Sequence, residues 1–116
     1  MQHLVGARTA CLLDAIGCAV GGVVLFISPT VWSWLALPES WRIPVALMLL
    51  LFAGLAAAAY QVGIRQMILA VVAGNVAWIL AGAYALAVTE SVVGGAIIGT
   101  VMVADAAMAW LQLSPR

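Results

Sequence analysis

A chain of 116 residues has room for one compact domain and no second, and 67% of its residues are hydrophobic while 7% are charged, with no lysine at all. A soluble globular domain carries about a quarter of its residues as charges, so the composition excludes that class. Four basic and four acidic residues cancel, which excludes the basic field that nucleic acid needs and the acidic field that would gather cationic partners.

Residues 1–7 read as a short leader, with His3 an interfacial side chain rather than a ligand. The first predicted helix covers residues 9–28, and its apolar part, residues 10–27, is long enough to cross a bilayer. That run exceeds the roughly 7–15 residues of a secretory h-region, and no small-x-small cleavage site follows it. It is therefore expected to stay in the mature protein. One carboxylate, Asp14, stands inside the crossing, with Cys11 three residues before it and Cys18 four after. Helical spacing puts all three on one face. Heptad steps extend the seam through Leu4, Ala7, Cys11, Asp14, Cys18, Gly21, Leu25 and Ser28. A stripe of small and polar side chains is what a helix–helix contact in lipid uses. Two readings of the acid stand side by side: a packing seam in which Asp14 is paired or protonated, and a site that binds or releases something, since intramembrane acids mark function. Cys11 and Cys18 lie about 10 Å apart by helical rise, beyond the ~7 Å that a disulfide spans, and read as small buried residues.

Ser28-Pro29 ends the first crossing. Residues 30–42 then hold Trp32, Trp34 and Trp41 beside Pro38 and Glu39. Tryptophans clustered at the end of a crossing read as an interfacial belt; a cage for a cationic ligand would use the same residue types. The second predicted helix, 43–61, has Pro44 in its first turn, where proline is tolerated. It closes on the small-residue run 53–59, which includes Gly54. A tight connection with Gly63 and Arg65 leads to the third helix, 66–88, carrying Gly74, Asn75, Trp78, Gly82 and Tyr84. Thr89, Glu90 and Ser91 make the next turn. The fourth helix, 92–113, contains Gly94, Gly95, Gly99 and a second acid, Asp105. It finishes on Trp110, a further interfacial aromatic, and Gln112, before the tail Ser114-Pro115-Arg116.

These elements predict an all-α fold: a single domain, residues 1–116, forming a four-transmembrane-helix bundle with short loops and both termini on one side. Arg8, Arg65 and Arg116 fall on that side; Arg42 falls on the other, with Glu39 and Glu90. The arginine bias predicts cytoplasmic termini. A short internal repeat fits the layout, with Val5-Gly6-Ala7-Arg8 recurring as Val62-Gly63-Ile64-Arg65 and Gly17 aligning with Gly74.

On this topology Asp14, Asn75 and Asp105 all lie in the cytoplasmic half. An ionised acid at the centre of a crossing costs about 2.5–3.5 kcal/mol on insertion scales. The three are therefore expected to face the bundle interior or a subunit interface, with protonation, a bond to Asn75, or a salt bridge to Arg8 or Arg65 neutralising the acids. Gly21, Gly54, Gly94, Gly95 and Gly99 are the expected helix-packing positions. No nucleophile and base stand at usable spacing, no glycine loop precedes a helix to cradle phosphate, and no metal-ligand cluster is present. The expectation is a protein without catalytic residues, metal or cofactor.

Ser28-Pro29 after the first crossing, Trp41-Arg42 opening the second, Asn75-x-x-Trp78 in the third and residues 106–112 closing the fourth resemble a group of small bacterial four-helix integral membrane proteins of unassigned function. That resemblance implies the architecture and a bacterial inner membrane. Asp14-Ala15-Ile16-Gly17 and Ala96-Ile97-Ile98-Gly99 are similar to the first and last helices of small multidrug resistance transporters, which carry Glu where Asp14 stands here. Those proteins exchange protons for cationic substrates at that acid. Two functions are expected from the chain as a whole. In the first it is a small transmembrane subunit or scaffold, associating with itself or with partner helices through Gly/Ala-rich faces. In the second it is a minimal proton-coupled small-molecule transporter with Asp14 as the proton and substrate site. The expected partners are the lipid bilayer and a homo-oligomer or larger membrane complex, with no nucleic acid.

Overall fold

A computed structural model describes the backbone of residues 2–113 and the side chains of residues 6–113. The expectations for the His3 and Leu4 side chains and for Arg116 lie outside the described residues. The elements are α1 (Gln2–Ile27), α2 (Pro29–Ser33), a 3-10 turn (Glu39–Trp41), α3 (Arg42–Val62), α4 (Arg65–Val88) and α5 (Val92–Leu113), with no strand among the described residues. Four of them, α1, α3 (with the 3-10 turn that leads into it), α4 and α5, are long and apolar enough to cross a membrane. The long axis of the molecule is 45 Å, which matches the ~40–45 Å of a bilayer with its headgroups. Outward side chains such as Leu51, Leu80, Val92 and Val103 are apolar and exposed, the surface that lipid rather than water accepts. The chain has the architecture of an integral membrane protein, an all-α bundle of four long helices.

The predicted leader is helical. Nothing between Gln2 and Ala10 breaks the turn, so α1 begins at Gln2 rather than near residue 9. The predicted loop 30–42 also contains a helix that the sequence reading passed over. Pro29 stands at its first position and the Ser28 hydroxyl accepts the Val31 N–H at 3.2 Å, so Ser28-Pro29 stops one helix and caps the next.

In cross-section the order around the bundle is α1, α3, α4, α5, with the broadest contacts between α1 and α3 and between α4 and α5. Short antiparallel connections bring both ends of the described chain to the same end of the bundle. The α1–α3 seam is built from small residues: Ala7, Cys11 and Ala15 meet Ala56 and Ala59, with Phe52, Ile68 and Val71 completing one buried cluster. Close approach of backbones is what small side chains permit in lipid, where no hydrophobic drive pushes helices together. This corrects the role expected of residues 53–59. Ala53, Ala56 and Ala59 recur at helical spacing and are buried inside the chain, so that face is occupied by α1 and is not open to a partner.

The end of the bundle away from the termini is closed by the α1–α3 connection. Trp32, expected in an interfacial belt, is 2% exposed, and its indole N–H donates to the Pro38 carbonyl at 3.2 Å. The short helix α2 rolls that ring inward under the loop. Trp34 and Trp110 do face outward. Trp41 stacks on Tyr84 with ring centroids 5.8 Å apart. The Thr89 hydroxyl donates to the Leu35 carbonyl at 2.6 Å, tying the α4–α5 turn to the same loop.

Candidate functional site

The seam of α1 carries Asp14 into the middle of the bundle, where it is 6% exposed. Asn75 of α4 and Gln112 of α5 reach it from across the ring, and both are fully buried. The Asn75 amide Nδ2 donates to Asp14 Oδ2 at 2.7 Å and to Gln112 Oε1 at 2.9 Å. The Gln112 amide Nε2 donates to the same Asp14 Oδ2 at 2.8 Å. Three helices are therefore joined at one carboxylate oxygen. Among the described residues the other oxygen, Oδ1, has a single distant donor, the Cys18 thiol at 4.0 Å. Asn75 Oδ1 is buried and accepts no hydrogen bond from the described residues.

Asp14 and Asn75 are the two predicted polar residues that the fold brings together. Arg8 and Arg65 stand apart from them, while Asp105 makes no bond to either but lines the same cavity as Asp14. Asp105 is half-buried and makes no hydrogen bond or ion pair among the described residues. Of the three ways of neutralising the acids, the salt bridge from Arg8 or Arg65 does not form among the described residues. Arg8 turns instead to the C-terminal carbonyls of α3, donating to Tyr60 O at 2.8 Å and Gln61 O at 3.2 Å, with its guanidinium 5.7 Å from the Tyr60 ring centre. Unsatisfied carbonyls at a helix end are strong acceptors and carry the negative end of its dipole, and they lie nearer the membrane surface than Asp14 does. Arg65 is exposed at the start of α4. The one ion pair among the described residues is Arg42–Glu39, at 2.6 Å.

Gln112 was the residue missed. It sits near the end of its helix and reads as an exit residue, yet it lies seven positions from Asp105, on the same face of α5. That heptad relation was the available signal.

Above the three-way junction, between α1, α3, α4 and α5, is a cavity of about 850 Å³, within the ~300–1,000 Å³ typical of small-molecule sites. Asp14, Cys18 and Asp105 line it, Trp78, Trp41 and Tyr84 contribute aromatic surface, and most of the remainder is aliphatic. None of the described arginines lines it. No protein-family model, curated protein or solved structure matches this chain. What the site can do therefore follows from its own chemistry: an apolar chamber with two carboxylates, aromatic walls and no base.

The predicted packing glycines separate into two groups. A Cβ on Gly94 would meet the Leu35 backbone, so this position packs against the chain's own loop. Gly21 and Gly95 have ordinary contacts with Leu49 and Leu86, each at 3.8 Å from a Cβ built there. Gly54 and Gly99 have nothing within 4 Å, so neither packs against another helix of this chain. Among the glycines inside the helices, a Cβ would crowd a neighbouring helix at Gly74, against the Phe52 ring, at Gly82, against Met102, and at Gly22, against Leu50.

Proposed function

We propose that this chain is a non-catalytic multi-pass protein of the bacterial inner membrane that binds a small lipophilic cation between its helices. The observation that carries the reading is the cavity of about 850 Å³. Its carboxylates Asp105 and Asp14 have no basic partner among the described residues. A buried charge in a low-dielectric medium is paired, neutralised or metal-bound, and a cation with an apolar body supplies the charge together with surface for the aliphatic and aromatic walls. On the arginine bias, Arg8, Arg65 and Arg116 against Arg42, we assign both termini to the cytoplasm.

The test uses the full chain in lipid nanodiscs and two ligands of equal shape, a phenylhexyl-trimethylammonium salt and the neutral compound with carbon in place of nitrogen. Trp41 and Trp78 line the cavity and report binding by their fluorescence. The ammonium is expected to bind saturably and more tightly than its isostere, with the preference lost in Asp105→Asn. A Cβ at Gly17 meets nothing within 4 Å, and Gly17 lines the cavity, so Gly17→Phe is expected to fill the space and abolish binding. Equal affinity for the two compounds, or binding that survives Gly17→Phe, overturns the reading. Proton-coupled transport of such a cation, with Asp14 as the proton site, extends it; undiminished coupled transport by Asp14→Asn in liposomes would remove that extension.

A second reading, the small subunit or scaffold, is favoured by the outward glycines. Gly54 and Gly99 open onto the lipid face with no side chain over them, and small residues there admit a second backbone. Native mass spectrometry from mild detergent tests it. A dimer, or a larger complex, that is lost in Gly99→Leu supports this reading, and a monomer in the unaltered chain removes it.

A further inference from the structure

The cavity is longer than it is wide, and its charge lies at one end. Along α1 the lining runs from Leu13 to Leu25, and along α5 from Met108 back to Ile97, a length of ~16–18 Å by helical rise. A volume of about 850 Å³ over that length leaves a slot of ~50 Å² in section, about 8 Å across. Both carboxylates sit at the end nearer the chain termini. Asp14 is next to Leu13, where the α1 lining begins, and Asp105 is one turn from Met108, where the α5 lining ends. From Asp14 to Leu25 the slot continues for ~16 Å, and no further charged side chain lines it. Glycines keep that stretch open. Gly17 and Gly21 stand about one and two turns beyond Asp14 and both line it. A Cβ at Gly17 would meet nothing within 4 Å, and one at Gly21 would meet only Leu49 Cδ1, at 3.8 Å. The far end is blind. Val31, Leu35 and Leu37 of the α1–α3 connection line it, and that connection is pinned by the Trp32 N–H on Pro38 O and the Thr89 hydroxyl on Leu35 O.

Given the cavity reading above, on which this rests, we infer that the ligand is a linear cationic amphiphile, charged at one terminus, and that the slot measures its tail. An extended hydrocarbon chain advances ~1.3 Å per carbon, from a C–C bond of about 1.5 Å, so the ~16 Å between the acids and the loop holds about twelve carbons. The head meets Asp105 and Asp14, whose charge it offsets, and the tail lies along α1 towards Leu37. A cation charged at mid-molecule has no such fit. The slot runs only ~4 Å past Asp105 on the side of the termini, so one arm of that cation would have nowhere to lie. Lipid tails are as apolar as the slot, and a longer chain gains nothing hydrophobic by leaving the membrane for the cavity. Chain length therefore acts through fit alone, and a tail that overruns the slot presses on the pinned loop.

The experiment titrates the full chain in lipid nanodiscs with alkyltrimethylammonium salts from butyl to octadecyl. Affinity is referred to the ligand concentration in the lipid, measured on empty nanodiscs, and binding is the saturable tryptophan signal that Gly17→Phe removes. On that scale affinity is expected to vary by less than about threefold from hexyl to dodecyl and to fall about tenfold by octadecyl. Gly21→Leu lays a side chain across the slot ~10 Å beyond Asp14, and is expected to bring the fall forward to about octyl. Undecyltrimethylammonium and dihexyldimethylammonium are isomers that differ in where the charge lies. The linear one is expected to bind about tenfold more tightly, a comparison that needs no variant and decides the matter should Gly21→Leu not fold. Equal affinities for the isomers, no fall by octadecyl, or a fall that stays in place in Gly21→Leu each overturn the inference. The cavity reading survives those outcomes where the hexyl salt binds saturably and weakens in Asp105→Asn. Absence of saturable binding by every member of the series removes the cavity reading and this inference together.

Discussion

Arg8 and Arg42 each cap the helix that carries the other. Arg8, near the start of α1, donates to Tyr60 O and Gln61 O at the end of α3. Arg42, at the start of α3, donates to Leu25 O at 2.9 Å and Phe26 O at 2.7 Å at the end of α1. The antiparallel pair is fastened at both membrane surfaces by the same device. Each guanidinium satisfies carbonyls that the helix itself leaves open and complements the negative end of a dipole.

Replacing either arginine by leucine is expected to lower stability by about 1 kcal/mol, since the freed carbonyls lie near the surface where water can partly replace the donor. The two sites are separated by the length of a crossing, ~30 Å, so the double variant is expected to lose the sum of the two. Lysine in place of Arg8 keeps the charge and loses the forked geometry, and its midpoint is expected to fall between those of the unaltered chain and Arg8→Leu. Chemical unfolding in mixed micelles measures all four.

Asn75→Leu is expected to cost about 1–3 kcal/mol, because Asp14 Oδ2 loses one of its two amide donors and Gln112 Oε1 its only one. Asp105→Asn is the contrast. Asp105 makes no hydrogen bond among the described residues, and removing a half-buried charge is expected to leave stability unchanged or slightly raised. A thermal shift that ranks the two variants in the opposite order would show that Asp105, rather than Asn75, is the structural member of the polar set.

The difference between these residues marks how far the sequence could be read. Four crossings follow from length and hydropathy, because a span is counted along the chain. The α1 seam through Ala7, Cys11 and Asp14 was legible because small and polar residues recur at seven-residue steps in a helix otherwise aliphatic. Asn75 was legible because an amide inside a crossing must find a partner. Direction was harder elsewhere. In a helix apolar on every face, periodicity does not mark the inward side, so Gly54 and Gly99 look no different from Gly22 and Gly74. A salt bridge from Arg8 stands among the sequence's alternatives because a sequence displays side-chain charge and hides the carbonyls at a helix end. Trp32 was assigned to the membrane surface because three tryptophans in a short stretch dominate the pattern, whereas the five-residue helix that turns one of them inward leaves only a serine–proline pair as its trace.

The glycines give a test of that direction. Gly94→Ala drives a methyl group into the Leu35 backbone, and Gly74→Ala drives one into the Phe52 ring, itself 8% exposed in the core. Both are expected to destabilise by about 1–3 kcal/mol, with Gly94 the more costly because a backbone carbonyl yields less than a ring. Gly54→Ala and Gly99→Ala meet nothing and gain helix propensity of up to ~1 kcal/mol, so both are expected to be neutral or stabilising. Unfolding midpoints for the four variants, taken at a large excess of detergent over protein so that self-association does not contribute, check the division.

Ala36 is the residue whose replacement is expected to stabilise the fold most simply. It has φ 54°, in the left-handed region that costs a side-chain-bearing L-residue about 1–2 kcal/mol. The conformation is held from outside: the Ala36 N–H donates to Ser33 O at 3.2 Å, and the preceding carbonyl, Leu35 O, accepts the Thr89 hydroxyl. Ala36→Gly removes the strain but frees the unfolded chain, which takes back about 0.4–1 kcal/mol. The net expectation is a gain of about 0.5–1 kcal/mol, visible as a higher unfolding midpoint. Ala36→Val works in the opposite direction, since a β-branched residue tolerates this φ least. Its loop is expected to shift, breaking the Thr89–Leu35 bond and loosening the cover over the cavity. Ser40 lines that cavity, and the thiol introduced by Ser40→Cys should then react faster with a polar maleimide when combined with Ala36→Val than when combined with Ala36→Gly. Equal rates would show that the loop absorbs the strain without moving.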